Sequence, residues 1–163
     1  MATLQWKNSA LEDLISAVDK LERVEFEELA GSALYAMSKE VADEVRQKLS
    51  ELPTSEDKEY KGDSKYLIPE KQKQGLLDSL GIAAMRRSEG NGYDVKIGFD
   101  GYNDVKTKKY PNGQANVMIA RLTESGSTWR IKQPFFRPAL NASKKRAQDA
   151  GSQKVIEFFK KII

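Results

Sequence analysis

The stretch Glu124-Ser-Gly-Ser-Thr-Trp-Arg-Ile-Lys-Gln-Pro-Phe-Phe-Arg-Pro-Ala-Leu140 runs from a glycine turn through two prolines into a basic tail of helical pattern. Pro134 and Pro138 bracket Phe135, Phe136 and Arg137. Each proline fixes its own φ and pushes the residue before it toward an extended conformation, so the chain is predicted to run straight from Gln133 to Arg137. Pro138 suits the first turn of a helix, where a missing N–H leaves nothing unpaired, and this places Arg137 near the N-cap of a final helix. Two aromatic rings and a guanidinium are thereby held at a fixed angle to that helix. Of two adjacent extended side chains only one faces the core, so one of Phe135 and Phe136 is expected to look outward.

Downstream, the final helix is predicted to bury Leu140, Ala147, Gly151, Val155, Phe158, Phe159 and Ile162, with a bend at Ala150-Gly151-Ser152. Lys144, Lys145, Arg146, Lys154, Lys160 and Lys161 take most of its remaining surface. Upstream, Asn116-Val-Met-Ile-Ala-Arg-Leu-Thr123 is apolar for long enough to be a buried strand or a two-turn helix. Thr128 to Lys132 reads as a strand approaching Pro134.

Farther back, Tyr93, Val95, Ile97 and Phe99 alternate with polar residues or glycine, the clearest strand pattern in the chain, and Gly90-Asn91-Gly92 favours a hairpin with the segment before it. Leu76, Leu77, Leu80, Ile82 and Met85 mix the two periods and predict a short helix running into a strand. Residues 100–115, with Gly101, Pro111, Gly113, Lys106, Lys108 and Lys109, read as an exposed basic loop. Residues 54–69 are polar, with no apolar period, and read as a mobile loop or arm.

Two helices are predicted before that arm. Ser9 and Glu12 fit a capping box ahead of the stripe Leu11, Leu14, Ile15, Val18 and Leu21. A longer run follows from Phe26 through Leu29, Leu34, Met37, Val41, Val45, Leu49 and Leu52, stopped by Pro53. Gly31 inside it allows either close packing or a merely tolerated glycine. Glu40, Asp43, Glu44 and Glu51 are assigned, with Lys39, Arg46 and Lys48, to a solvated face.

The chain of 163 residues, 39% apolar and 31% charged, suits one domain, taken as 1–163. It holds neither cysteine nor histidine, which excludes thiol nucleophiles, disulfides, thiolate metal sites and histidine general bases. Glycine spacings match no phosphate-binding loop, and Glu124 has no second carboxylate or histidine beside it in sequence, so its expected role is structural. It is expected to accept hydrogen bonds near the Gly126 turn, pairing with Arg137. No secretion signal and no run of about 20 apolar residues is visible, so synthesis and use in the cytoplasm are expected, with no membrane partner. Residues 1–60 hold 7 Lys and Arg against 14 Asp and Glu, whereas residues 61–163 hold 20 against 10. Such asymmetry suits an acidic face meeting a basic one across subunits, or a basic surface facing nucleic acid.

The order Glu124-x-Gly126, a spacer, then Gln133 through Leu140 resembles the signature of the tail-completion proteins of long-tailed bacteriophages, also called neck or head-tail joining proteins. That signature is an acidic-x-Gly-Thr turn followed by Pro-Phe-hydrophobic-Arg-Pro-Ala. Here Ser127 stands where threonine is common, with Thr128 next. Gln74-Gly75-Leu76-Leu77-Asp78-Ser79-Leu80 likewise resembles the family's Thr-Gly-x-Leu-x-x-Ser-hydrophobic segment, with Gln74 in place of threonine. The resemblance spans Gln74 to Leu140, and the long helix before it is also expected of the family.

The resemblance singles out Gly75, Leu76, Ser79, Glu124, Gly126, Pro134, Phe135, Phe136, Arg137, Pro138, Ala139 and Leu140 as motif and structural joint. It implies a structural virion protein, assembled in the host cytoplasm, that forms a ring, expected to be of six copies, completing the tail and joining it to the head connector. Its partners would be further copies of itself, head-connector proteins, and tail-tube or tail-terminator proteins, with no catalysis, cofactor or metal. The outward Phe would fill a neighbouring subunit's pocket. DNA passes through such a ring, which makes Lys106, Lys108, Lys109, Lys144, Lys145 and Arg146 candidates for subunit or non-specific DNA contact. Two alternatives stand beside it: a small non-enzymatic DNA-binding module using the basic half, and a tail terminator or head-closure protein. The fold expected is α+β, with two N-terminal helices, the second long, and a C-terminal helix packed on a small antiparallel sheet.

Overall fold

The computed structural model describes Ser16 and residues 23–55, 65–90, 92–106 and 108–162. The expected first helix, with its Ser9 and Glu12 capping box, lies outside these but for Ser16, as do the centre of the 54–69 segment, Asn91 and Thr107. The class is α+β, as the periodicities predict. In order the elements are α1 (Arg23–Ser50), α2 (Glu70–Ser79), β1 (Leu80–Ile82), β2 (Arg86–Arg87), β3 (Tyr93–Asp94), β4 (Ile97–Phe99), α3 (Asn116–Ser125) and α4 (Phe136–Ile162).

The two long helices, α1 and α4, lie antiparallel. Arg146 of α4 meets Glu40 and Glu44 of α1, while Gly151, farther along α4, meets Met37 and Ala33, earlier on α1. Close approach is possible because α4 buries a small residue every fourth position: Ala139, Ser143, Ala147 and Gly151. A Cβ on Gly151 would stand 2.6 Å from Met37 Cγ. Gly151 is therefore a contact point in a continuous helix and not a bend, and Leu140, expected on the buried face, is exposed while Ala139 takes its place. Glu44, assigned from sequence to the solvated face, is buried in this interface. Gly31 has room for a Cβ, 3.6 Å from the Met85 side chain, so packing alone does not demand glycine there.

Between Leu80 and Phe99 the chain forms one antiparallel hairpin broken in the middle. β1 pairs with β4 in the register Leu80↔Phe99, Gly81↔Gly98, Ile82↔Ile97, and β2 pairs with β3 as Arg86↔Asp94, Arg87↔Tyr93. Three residues, Ala83, Ala84 and Met85, thus oppose two, Val95 and Lys96, which is the signature of a β-bulge. The hairpin predicted from Gly90-Asn91-Gly92 is present, but the single strand expected over 93–99 is two short strands. The extra residue is used by α1: the Met85 N–H donates to Tyr35 Oη at 2.8 Å.

The core gathers at the C-terminal end of α1, where Val45 and Leu49 meet Ile68, Leu76, Leu80, Ile119, Phe135 and Ala139. Lys73 of α2 donates to the carbonyls of Ser50 (3.0 Å) and Leu52 (3.1 Å), closing the end of α1 with a cation where the helix dipole favours one. The described ends of the 54–69 segment are tied together. Ser55 N–H donates to the Ile68 carbonyl at 3.2 Å, Ser55 Oγ donates to the Leu67 carbonyl at 2.9 Å, and the Ile68 side chain is in the core.

The 100–115 loop is present and its base is built. Buried Asn103 spans it, its N–H and Nδ2 both reaching the Gln114 carbonyl at 3.0 Å. Gly113 has φ +85, and a Cβ there would lie 1.9 Å from the Asn103 carbonyl oxygen, so only glycine closes the loop. Thr128 to Lys132, expected as a strand, pairs at one point among the described residues, where Arg130 bridges Tyr66 in parallel. Ser127 Oγ accepts from the N–H groups of Trp129 (3.2 Å) and Arg130 (3.1 Å), and the tight turn this makes prevents a ladder.

Candidate functional site

The joint expected around Glu124 and the two prolines is a continuous set of contacts between the end of α3 and the start of α4. α3 ends at Ser125, and Gly126 follows with φ 74 and ψ 174, its N–H donating to the Leu122 carbonyl. Its φ is positive, but its ψ lies outside the left-handed helical region, in the extended quarter that only glycine occupies comfortably. A Cβ on Gly126 would also press on Lys132, 3.1 Å from its backbone nitrogen.

That turn brings Glu124 under the first turn of α4. One carboxylate oxygen, Oε2, accepts from the backbone N–H groups of Phe135 and Phe136, each at 2.8 Å, and Oε1 accepts from the Arg137 N–H at 3.1 Å. A helix leaves its first four N–H groups without internal partners. In α4 those positions are Phe135, Phe136, Arg137 and Pro138, and proline has no N–H, so Glu124 and Pro138 between them account for the whole first turn. The first internal bond is Ala139 N–H to the Phe135 carbonyl, at 3.1 Å. The expected pairing of Glu124 with Arg137 therefore runs through the Arg137 backbone and not through its guanidinium. A carboxylate in this place is also favoured by the helix dipole.

α4 begins two residues before Pro138, so Phe136 and Arg137 are helical and the predicted straight run stops at Phe135. This changes the fate of the two rings. On an extended chain they would diverge, but across a helix start they turn to the same side. Phe135 is fully buried, Phe136 packs against the core, and both make edge contacts with Phe99, at centroid distances of 6.0 and 6.4 Å. Neither ring is held outward for a neighbour. Pro134, Arg137 and Leu140 are the exposed members of the motif, while Ala139 is fully buried.

Two residues in the same stretch carry roles that sequence reasoning missed. Gln133 is buried, and its side-chain amide staples the 54–69 segment: Oε1 accepts from the Ile68 N–H (2.8 Å) and Nε2 donates to the Pro53 carbonyl (2.7 Å). Its own N–H donates to the Thr123 carbonyl at 2.8 Å, tying the staple to α3. Arg130 is also buried, and its nitrogens donate to Thr123 Oγ1 (3.2 Å) and to Gln72 Oε1, with the guanidinium 5.3 Å from the Tyr66 ring centre. No carboxylate partners it among the described residues, so neutral oxygens and a π face hold the charge. The signal for Gln133 was its place beside Pro134; nothing local marks Arg130 as buried, because its partners come from three other segments.

The second motif meets the first through the core. Leu76 shares the central cluster with Phe135, and Gln72, one turn earlier on α2, is the acceptor for Arg130. Ser79 Oγ donates to the Leu76 carbonyl at 3.3 Å and the Ser79 carbonyl accepts from the Asp100 N–H at 3.2 Å, joining α2 to the far end of the hairpin. Gly75 faces Asn116 and Asn103 at ordinary contact distance. Asn116 Oδ1, beside it, is buried without a hydrogen-bond partner.

The basic candidates separate into two kinds. Lys106, Lys108, Lys109, Lys144 and Lys145 are exposed. Arg146 is engaged within the chain: it donates to Glu44 and lies 3.6 Å from Glu40, and the hydrogen bond to Glu44 holds its pKa above the ordinary arginine value. Among the described residues no three His, Cys, Asp or Glu side chains converge as a metal ion would need, and no helix is long and apolar enough to cross a membrane. The arrangement connects several elements: the side chains of Glu124 and Gln133 bond to backbone groups, and Arg130 bonds to the side chains of Thr123 and Gln72. Searches against protein-family models, curated proteins and solved structures found no match.

Proposed function

We propose that this protein is a structural component of a tailed phage or prophage virion that forms a ring at the head-tail junction, completes the tail and joins it to the head connector. It acts by shape and catalyses nothing. One observation carries the reading: the residues of the two family-like segments converge on a single task. Glu124 and Gly126 fix the start of α4, Leu76 and Phe135 share the core beneath it, and Gln133 ties in the 54–69 segment. A subunit built so presents its longest elements in one orientation, as repeated contacts around a ring require.

The test is loss of the protein during phage growth. DNA-filled heads and free tails that fail to join, with joining restored by the wild-type protein in trans, are the expected result. Complete infectious particles formed without it would overturn the proposal. A DNA-binding module is the second reading, favoured by Lys106, Lys108 and Lys109, which make no ion pair among the described residues. Salt-sensitive binding of the purified protein to duplex DNA, without junction defects, would select it. A tail terminator or head-closure protein would occupy a neighbouring ring, and crosslinking to tail-tube against connector subunits separates those cases.

A further inference from the structure

We propose that one face of α4 binds the phosphate backbone of double-stranded DNA without reading its sequence. From Ser125 to Gln148 the chain carries Arg130, Lys132, Arg137, Lys144, Lys145 and Arg146 and no Asp or Glu. Two of these cations are engaged inside the molecule: Arg130 is buried, and Arg146 donates to Glu44 and lies 3.6 Å from Glu40. The other four are exposed, and among the described residues none of them makes an ion pair. Elsewhere pairing is the rule, since Arg46, Lys48, Lys73, Arg86 and Lys154 each have a carboxylate oxygen at 3.9 Å or closer.

Position on the helix sorts them further. Arg137, Asn141, Lys144 and Gln148 are four, three and four positions apart, the spacing that lines one face of a helix, and all four are exposed. Arg146, two residues past Lys144, is turned about 200° around the helix, toward Glu40 and Glu44 of α1. Asp149, which ends the acid-free run, is turned about 100° from Gln148. The stripe therefore carries cations and amides and no carboxylate. Lys132 extends it across the joint: a Cβ on Gly126 would lie 3.1 Å from Lys132 Cβ, and Glu124, two residues before Gly126, accepts from the Arg137 N–H. Glu124 is the acidic residue nearest this surface in sequence, and both its oxygens are committed to backbone N–H groups.

Side-chain chemistry separates nucleic acid from a protein partner. The centre of a protein interface is depleted of charge and enriched in aromatic residues, whereas DNA interfaces are more polar and much more positive. The stripe has no aromatic residue, and between Arg137 and Gln148 the one exposed large apolar side chain is Leu140. Arg137 and Lys144 stand about 10.5 Å apart along the axis at about 1.5 Å per residue, which spans about three phosphates of one strand at about 3.4 Å each. Asn141 and Gln148 add amide donors of the kind that contact phosphate oxygens, and such contacts position a protein on DNA without specifying a sequence. This surface goes beyond the ring reading and does not depend on it, and it is separate from the lysines of the 100–115 loop.

Fluorescence anisotropy of a labelled DNA duplex titrated with the full chain, over about 50 to 200 mM salt, tests it. Wild-type protein should bind two duplexes of unrelated sequence equally, with log affinity falling linearly against log salt. Arg137→Gln/Lys144→Gln, checked for folding by circular dichroism, should bind about tenfold more weakly or worse and lose about two units of that slope, one for each phosphate contact. Lys144→Gln alone, two turns beyond the Glu124 contacts, should lose about one. Lys106→Gln/Lys108→Gln should bind as wild type does. No binding by wild type at the lowest salt, a wild-type slope in both α4 variants, or a loss in the loop variant in their place would overturn the proposal. Binding to poly-glutamate as tight as to the duplex, and equally weakened in the α4 variants, would also overturn it and assign the face to an acidic protein. Junction assembly during phage growth is a separate readout, so the ring reading stands or falls on its own test.

Discussion

Removing the Glu124 carboxylate isolates the joint from everything else in the molecule. In Glu124→Ala the N–H groups of Phe135, Phe136 and Arg137 lose their shared acceptor. Arg137 is exposed and water can replace the bond, but the other two donors are partly buried. A buried donor left unpaired costs roughly 1–3 kcal/mol, and loss of a negative charge at a helix N-terminus adds roughly 0.3–1 kcal/mol. The three bonds share one carboxylate and do not add fully, so we expect about 3 kcal/mol. Glu124→Gln is the discriminating variant. Its single oxygen can occupy the Oε2 position and keep both partly buried donors, while its NH₂ faces the Arg137 N–H; about 1–2 kcal/mol is expected. Urea unfolding followed by circular dichroism, with a common m value, reads both numbers. Hydrogen exchange at Phe135 and Phe136 should rise about 100-fold in the alanine variant, since about 1.4 kcal/mol is a factor of ten. A change below roughly 0.5 kcal/mol in Glu124→Ala, the range of unremarkable surface substitutions, would refute the capping argument. Equal losses in the two variants would refute the assigned geometry.

Gly113→Ala should open the 100–115 loop, because a Cβ 1.9 Å from the Asn103 oxygen cannot be accommodated by small shifts; about 2–3 kcal/mol of stability and faster tryptic cleavage near Lys106 are expected from the strain of a non-glycine residue there. Gly151→Ala sets a helix-propensity gain of about 1 kcal/mol against overpacking on Met37 of roughly 1–3 kcal/mol. The variant should be less stable than wild type in urea, and a stabilised variant would mean that α1 and α4 are farther apart than described. Gln133→Leu leaves the Ile68 N–H and the Pro53 carbonyl without their partner and should lower Tm by about 5–10 °C, at roughly 2–4 °C per kcal/mol for a chain of this size.

Much of the framework was readable before any coordinates. α1 announces itself through apolar residues three and four apart and a stop at Pro53, and α2 running into β1 is visible as a change of period at Leu80. The candidate site was readable in part. Glu124, Gly126 and the prolines stood out because their effects are local: a carboxylate, a positive φ, and rings that restrict their own backbone. The partners were not visible, since Gln133 reaches Ile68 and Pro53, and Arg130 reaches Gln72 and Tyr66, across separations of dozens of residues.

The remaining errors share one cause. Strand alternation over 93–99 is a property of one strand, whereas the bulge that breaks it belongs to the pairing, where Ala83, Ala84 and Met85 face two residues. Glu44 has the look of a surface charge until Arg146 covers it from the opposite helix. The fates of Phe135 and Phe136 depended on where α4 starts, and that was set by Glu124 reaching three N–H groups from another helix. By itself the sequence determined the two long helices and the main turns, and that no histidine or cysteine chemistry is available, because propensity, prolyl geometry and composition act within a few residues. Only the tertiary structure decided which charges are buried, which rings meet and which glycines are indispensable, because those depend on what a distant segment brings within a few ångströms.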